Sequence, residues 1–435
     1  MPTPPPGTHE DAERTAVLEL MTYLEFKVKN LTSVNEIIEN AKKKQDISDG
    51  KKQSIAIIES YIRQHQDFGE IVLTDQSTEL SLEDQGIMPN PKGFKAYTFK
   101  ESTGEYIVAF SGTPNHAWVV NADAFGPAQD NIYYEYDSDG NIQRDADENI
   151  VSTTMPEYFS ASQAMAVNYF DYITAKFELN QSDHITITGH SQGDNNAKTV
   201  TLKRDLVDVC YAFDGQGYSP EAIDELQTDP QFAERLKKIY QFRNDNNVVD
   251  GFGYDIGLAE QTYYHKGPVS RGEFKFDHFF ETQFVQDEHG NWGFAPYTDK
   301  GRGFLTRAIY DYTAVLMQMP EDVRGGITRG IMQVTQQVLI REGTAAFENP
   351  ANLREVCMGM AATIAAVPTA LVKEIRVENE DIAAMIYTGA LLYSGVFGGF
   401  LDESITPFVT KVLEKRKKTE TVIEKKLTEI GRAHV

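Results

Sequence analysis

Cysteine is nearly absent: Cys210 and Cys357 are the two thiols in 435 residues. Two cysteines build no disulfide framework, and they leave the redox compartment open. Cys210 sits in the apolar run Val209-Cys210-Tyr211-Ala212-Phe213 and is expected to be a buried small hydrophobe rather than a nucleophile. Positive charge is also scarce, with 41 Lys and Arg against 65 Asp and Glu and a formal net charge of −24. That balance argues against nucleic acid or acidic lipid headgroups as the main partner. Met1-Pro2-Thr3-Pro4-Pro5-Pro6-Gly7 has neither a basic n-region nor an apolar h-region. No conventional secretory signal is therefore expected, which leaves the cytoplasm or export by a signal-independent route.

What is present is ordinary globular content, 41% hydrophobic, over a length that suits one large core plus a smaller unit. Residues 1–75 read as a helical lead-in, with spaced apolar residues at Val17, Leu20, Met21 and Leu24 and again at Ile55, Ile57, Ile58 and Ile62. Residues 76–302 carry strand-like runs at 95–99, 106–110, 185–188, 209–213 and 239–242, with a helical pattern at 161–177. Strands alternating with helices predict an α/β fold with a largely parallel sheet covered on both faces. Two Asp/Gly/Asn-rich segments, 136–141 and 286–292, lack the full register of a calcium loop and are expected to be hairpin turns.

From 303 to 428 the pattern turns helical. Segments 352–372 and 382–401 are the most apolar of the chain, and the second has no charged residue. It meets the length of a membrane span, although a buried helical hairpin or a partner-docking face is the favoured reading. Residues 352–401 are thus where a membrane or protein partner would be met. The last seven residues, 429–435, match one reading frame of a common sequencing-library adapter. They read as an artefact, and His434 is given no role.

The most informative motif is Gly189-His190-Ser191-Gln192-Gly193. A bare Gly-x-Ser-x-Gly is weak, but here the strand-like His184-Ile185-Thr186-Ile187-Thr188 precedes it. Asp194-Asn195-Asn196 follows and supplies N-cap chemistry for a helix running to about Leu206. Strand, motif, helix is the nucleophile elbow of α/β hydrolases, a strained turn that exposes the serine hydroxyl. A serine needs a histidine base and an acid to orient that base, in the chain order Ser, acid, His. His278, within Phe274-Lys275-Phe276-Asp277-His278-Phe279-Phe280, is the preferred base; His265 is its rival, and His289 falls in a hairpin turn. Asp245, at the end of the run 239–242, is the preferred acid, with Asp214 and Asp250 as alternatives. Oxyanion donors are expected from the Gln192 backbone N–H and from Thr113 in the loop Phe110-Ser111-Gly112-Thr113-Pro114.

These pieces resemble the class 3 lipases, more closely their bacterial Mbeg1-like relatives. The likeness covers roughly residues 90–295 and rests on Ile107-Val108-Ala109-Phe110-Ser111-Gly112-Thr113, Trp118-Val119-Val120-Asn121-Ala122-Asp123, the elbow, Phe213-Asp214-Gly215-Gln216-Gly217-Tyr218-Ser219, and the pairs Asn244-Asp245 and Asp277-His278. The chain departs from that pattern at Ser111, where Arg is usual, and at Asp194, where a small residue is. It also has Asn246 and Asn247 before Val248, where one residue is commoner. The resemblance implies a serine ester hydrolase on a lipase-like α/β-hydrolase fold. It would act on lipids or other acyl esters through a covalent acyl-enzyme, with no metal or organic cofactor. Two other readings stand beside it: a hydrolase-fold binding protein without turnover, since fold does not guarantee function, and an exported lipase effector whose helical C-terminal region serves targeting or docking.

Overall fold

A computed structural model gives the fold and describes residues 3–24, 31–44, 47–77, 93–267 and 278–334. All of them belong to the first of the two units into which the chain divides, residues 1–359. The expectations for 352–372, 382–401 and 429–435 lie outside the described residues. Among the described residues, no helix is long and apolar enough to cross a membrane.

The run Tyr106-Ile107-Val108-Ala109-Phe110 has no face to give to water, and every residue of it is buried. Such a strand needs helices on both sides of its sheet. The chain begins with α1 (Pro6–Thr22), β1 (Thr32–Ser33), α2 (Val34–Lys42) and α3 (Asp49–Gln64). It continues through β2 (Val72–Gln76), β3 (Ala96–Lys100), β4 (Tyr106–Phe110) and the paired strands β5 (Gln129–Tyr134) and β6 (Ser152–Glu157). Helices and strands then alternate: α4 (Ala161–Lys176), β7 (Ile185–His190), α5 (Gln192–Lys203), β8 (Val209–Phe213), α6 (Pro220–Gln227), α7 (Phe232–Leu236), β9 (Ile239–Asn244) and β10 (Thr262–His265). The described part closes with β11 (Phe284–Gln286), β12 (Trp292–Phe294), β13 (Tyr297–Thr298), α8 (Phe304–Leu316) and α9 (Glu321–Val334).

Nine strands make one sheet in the order β1-β2-β3-β4-β7-β8-β9-β10-β13. Strands β4, β7, β8, β9 and β10 are parallel, while β1 to β3 and β13 add antiparallel edges. Because side chains alternate across a strand, β4 feeds two cores. Tyr106, Val108 and Phe110 pack with Val167 and Phe170 of α4 and Val200 of α5. Ile107 and Ala109 pack with Val17 and Leu20 of α1, Ile38 of α2 and Ile58 of α3.

The α/β architecture is the one expected, but two of the divisions drawn on the sequence are not structural. β2 crosses the boundary at residue 75, and the N-terminal helices form one whole layer on the sheet rather than a lead-in to it. After residue 302, α8 and α9 stay with the same body. Thr313 of α8 donates to the Gly251 carbonyl at 2.5 Å, and buried Arg324 of α9 donates to the Phe125 carbonyl at 2.7 Å. The Asp/Gly/Asn segments are turns: the Asp137 Oδ1 accepts the N–H groups of Asp139 and Asn141, and Asp287 does the same for His289 and Asn291.

Candidate active site

The elbow forms where β7 ends. Ser191 adopts φ 60° and ψ −123°, a left-handed backbone that a side chain enters only under constraint. The constraint is packing against β4. A Cβ on Gly193 would collide with the Phe110 carbonyl, and one on Gly189 would collide with Gly193 itself. Both glycines are therefore required by close approach of neighbouring backbone. The helix after the elbow starts earlier than its Asx residues suggested, at Gln192 with Ser191 as N-cap. Asp194 is no cap. It lies fully buried inside α5, pairs with Lys198 at 2.7 Å and accepts the Gly215 N–H at 2.9 Å.

Of the histidines, His278 is the one that meets the serine, with Nε2 2.9 Å from the Ser191 Oγ. Its rival His265 faces elsewhere, with Nδ1 2.7 Å from the Ala295 carbonyl and the ring packed on Phe294 and Tyr297. His289 is exposed in its turn. Burial pushes the His278 imidazole down to about 4, so it is neutral at pH 7 and able to accept a proton. The Trp118 ring stands edge-on to it at 6.0 Å, and the His190 ring stacks on it at 5.0 Å. Ser191 and His278 are only 8% and 6% exposed.

The third position departs from expectation. His278 Nδ1 lies 3.1 Å from the Oδ1 of Asn247, not from Asp245. A turn closed by the Asn247 N–H on the Asn244 carbonyl, 3.1 Å, brings Asn247 back over the end of β9. Asp245 points the other way: its carboxylate accepts the Gly267 N–H at 2.9 Å, and its carbonyl accepts the Thr306 hydroxyl at 3.2 Å. It braces β10 and the start of α8. Asp250 is committed to Arg243 and to Arg302, the latter at 2.7 Å. In a run of four Asx residues, 244–247, strand-end position alone could not say which one the turn would aim at the histidine; the extra residue before Val248 was the available signal.

Thr113 and Gln192 lie side by side, joined through their side chains. The Thr113 hydroxyl is 2.9 Å from Gln192 Oε1 and 3.0 Å from Asn121 Oδ1. As the first helical residue, Gln192 has no intrahelical acceptor for its N–H. Two further residues, one in α1 and one immediately after it, enter where no motif marked them. The Tyr23 hydroxyl is 2.6 Å from His190 Nδ1 and fills the space over Gly112, so that a Cβ there would strike it. Glu19, fully buried behind the elbow, is held well above the usual carboxylate range by desolvation.

The sequence matches no protein-family model and no curated protein.

Proposed function

We propose that the protein is a serine ester hydrolase on an α/β-hydrolase fold, cleaving lipid or other acyl esters through an acyl-enzyme. The observation that carries this reading is the 2.9 Å contact between the strained, buried Ser191 and a neutral His278. His278 Nε2 takes the hydroxyl proton as Ser191 Oγ attacks the ester carbonyl, and returns it to the departing alcohol oxygen. Water then repeats the sequence: its oxygen bonds the acyl carbon as its proton passes to His278, which returns that proton to Ser191 Oγ as the acyl–Oγ bond breaks and the free acid leaves. Asn247 accepts the Nδ1–H and holds the ring in place. The N–H of Gln192, together with Thr113, is suited to the negative charge that develops on the carbonyl oxygen.

The test is hydrolysis of short- and long-chain acyl esters and phospholipids, with fluorophosphonate labelling of the serine. Ser191→Ala should lose about 10⁶-fold in kcat together with all labelling. A folded wild-type protein that neither turns over any ester nor takes the probe would sink the reading.

A further inference from the structure

Asn247 orients His278 with an oxygen that is itself held. Its Oδ1, 3.1 Å from His278 Nδ1, accepts the Val249 N–H at 2.9 Å. Val249 opens a single helical turn, Val249–Gly251, so the place of that turn decides the place of the oxygen. The turn rests on the segment that leads into and forms α8. Asp250 Oδ2 accepts the Arg302 Nε–H at 2.7 Å, and Oδ1 accepts from Nη2 at 3.2 Å. The Gly251 carbonyl accepts the Thr313 hydroxyl, and a Cβ on Gly251 would strike Ile309 and the Thr306 carbonyl. Just upstream, the Asp245 carbonyl accepts the Gly303 N–H at 2.5 Å.

The Asp250 side chain has no solvent exposure, and its second cationic partner is Arg243 of β9. Arg243 does not serve it alone, because its Nη2 also donates to Asp255 at 2.7 Å. Lys198, 4.0 Å from Asp255, has its closer partner in Asp194 at 2.7 Å. Without Arg302, two carboxylates would share Arg243 in the interior, where like charges repel and an unpaired charge is costly. Relief by moving Asp250 toward water would carry Val249, and with it the Asn247 oxygen, off His278 Nδ1. Arg302 also fixes direction, since a guanidinium fork grips both carboxylate oxygens where a lysine acts as one point charge.

We propose that Arg302 is a positioning residue which, through Asp250 and the turn it belongs to, keeps the Asn247 oxygen on His278 Nδ1. Hydrogen then stays on Nδ1, and Nε2 stays open to the serine proton. The inference rests on the serine hydrolase reading above. Arg302 lies past residues 90–295, where the hydrolase likeness ends, so the working site extends into the helical part of the chain.

The experiment measures fluorophosphonate labelling rates of Ser191 in the full chain for the wild type, Arg302→Met, Arg302→Lys and Asn247→Ala. Each Arg302 change is also combined with Asn247→Ala, and the ¹H signal of the His278 Nδ1–H is followed alongside. Arg302→Met should slow labelling about 10-fold or more, within the ~10²-fold that an ångström of misplacement costs. Arg302→Lys should slow it by less, and the Nδ1–H signal should weaken in the same order. Combined with Asn247→Ala, neither change should slow labelling further, because the oxygen it serves is gone. A folded Arg302→Met or an Asn247→Ala that labels like wild type would overturn the proposal. So would the same slowing from Arg302→Met whether or not Asn247 is present, which marks a merely structural role. Should Arg302→Met not fold, Arg302→Lys decides, since it retains the charge. Slowing confined to chains that keep Asn247 supports the proposal, and no slowing or equal slowing overturns it. A folded wild type that takes no probe at all overturns the hydrolase reading itself.

Discussion

His278 spends its burial on being uncharged. Its imidazole is held at about 4 because water is kept from it on every side, and an imidazole that stays neutral can accept a proton across the whole physiological range. The reading predicts that kcat/KM for a short-chain ester persists on acidification and falls only near pH 4, not near the ordinary histidine value of 6.5. A pH–rate profile that breaks at 6.5 would show that the imidazole is more exposed when it acts than its burial implies. Gly193 is the other residue whose identity is dictated by its neighbours. Gly193→Ala would drive a methyl into the Phe110 carbonyl, and a loss of about 1–3 kcal/mol is expected, read by urea denaturation. The local dictates of such residues are what a sequence displays best. The elbow, its serine and His278 were legible because strand, turn and aromatic context each leave a short-range pattern. Asn247 was not, because the geometry of a turn decided among four adjacent Asx residues.

At the scale of elements, α1 does more than cover the sheet. Tyr23, immediately after it, bonds the ring of His190, and Glu19 lies under the same turn. Burial keeps the Tyr23 phenol well above its usual range, so it remains a donor. Tyr23→Phe would leave His190 Nδ1 unpartnered in the interior, at about 1–3 kcal/mol. Denaturant titration should show that loss, and labelling of Ser191 should slow as the elbow loses its support. An unchanged stability would mean that the bond contributes nothing. Strand β10 (Thr262–His265) was not among the runs read, whereas the other four of the five parallel strands, β4, β7, β8 and β9, were readable nearly to the residue. The service of α1 to the site was not, because a tertiary contact spanning 167 residues leaves no local trace.

For the molecule as a whole, the buried acids set how stability responds to pH. Desolvation lifts Asp214 to about 7 from an ordinary 3.8. Its contribution is therefore present below its ordinary value and lost as the pH rises through 7. His278 runs the other way, its contribution complete above 6.5 and lost as the pH falls through about 4. Relative to wild type, Asp214→Asn should gain stability as the pH rises from about 4 to 7, by at most ~1.4 kcal/mol per pH unit. The gain should level off above that window. Urea titrations of both proteins across this range check it, and a difference that does not vary with pH would mean that Asp214 does not titrate there.

The order in which the sheet uses the chain has a consequence for the protein's life before it is complete. On the serine hydrolase reading, the nucleophile comes at residue 191, the orienting amide at 247 and the base only at 278, while β13 adds the edge of the sheet later still. During synthesis, which runs from the N-terminus, the serine emerges long before anything that could activate it. A polypeptide stopped short of residue 278, or one cut and stripped of its later part, would hold a shaped but inert hydroxyl. On the serine hydrolase reading, reactivity at Ser191 would then report that the chain had been made and kept through residue 278.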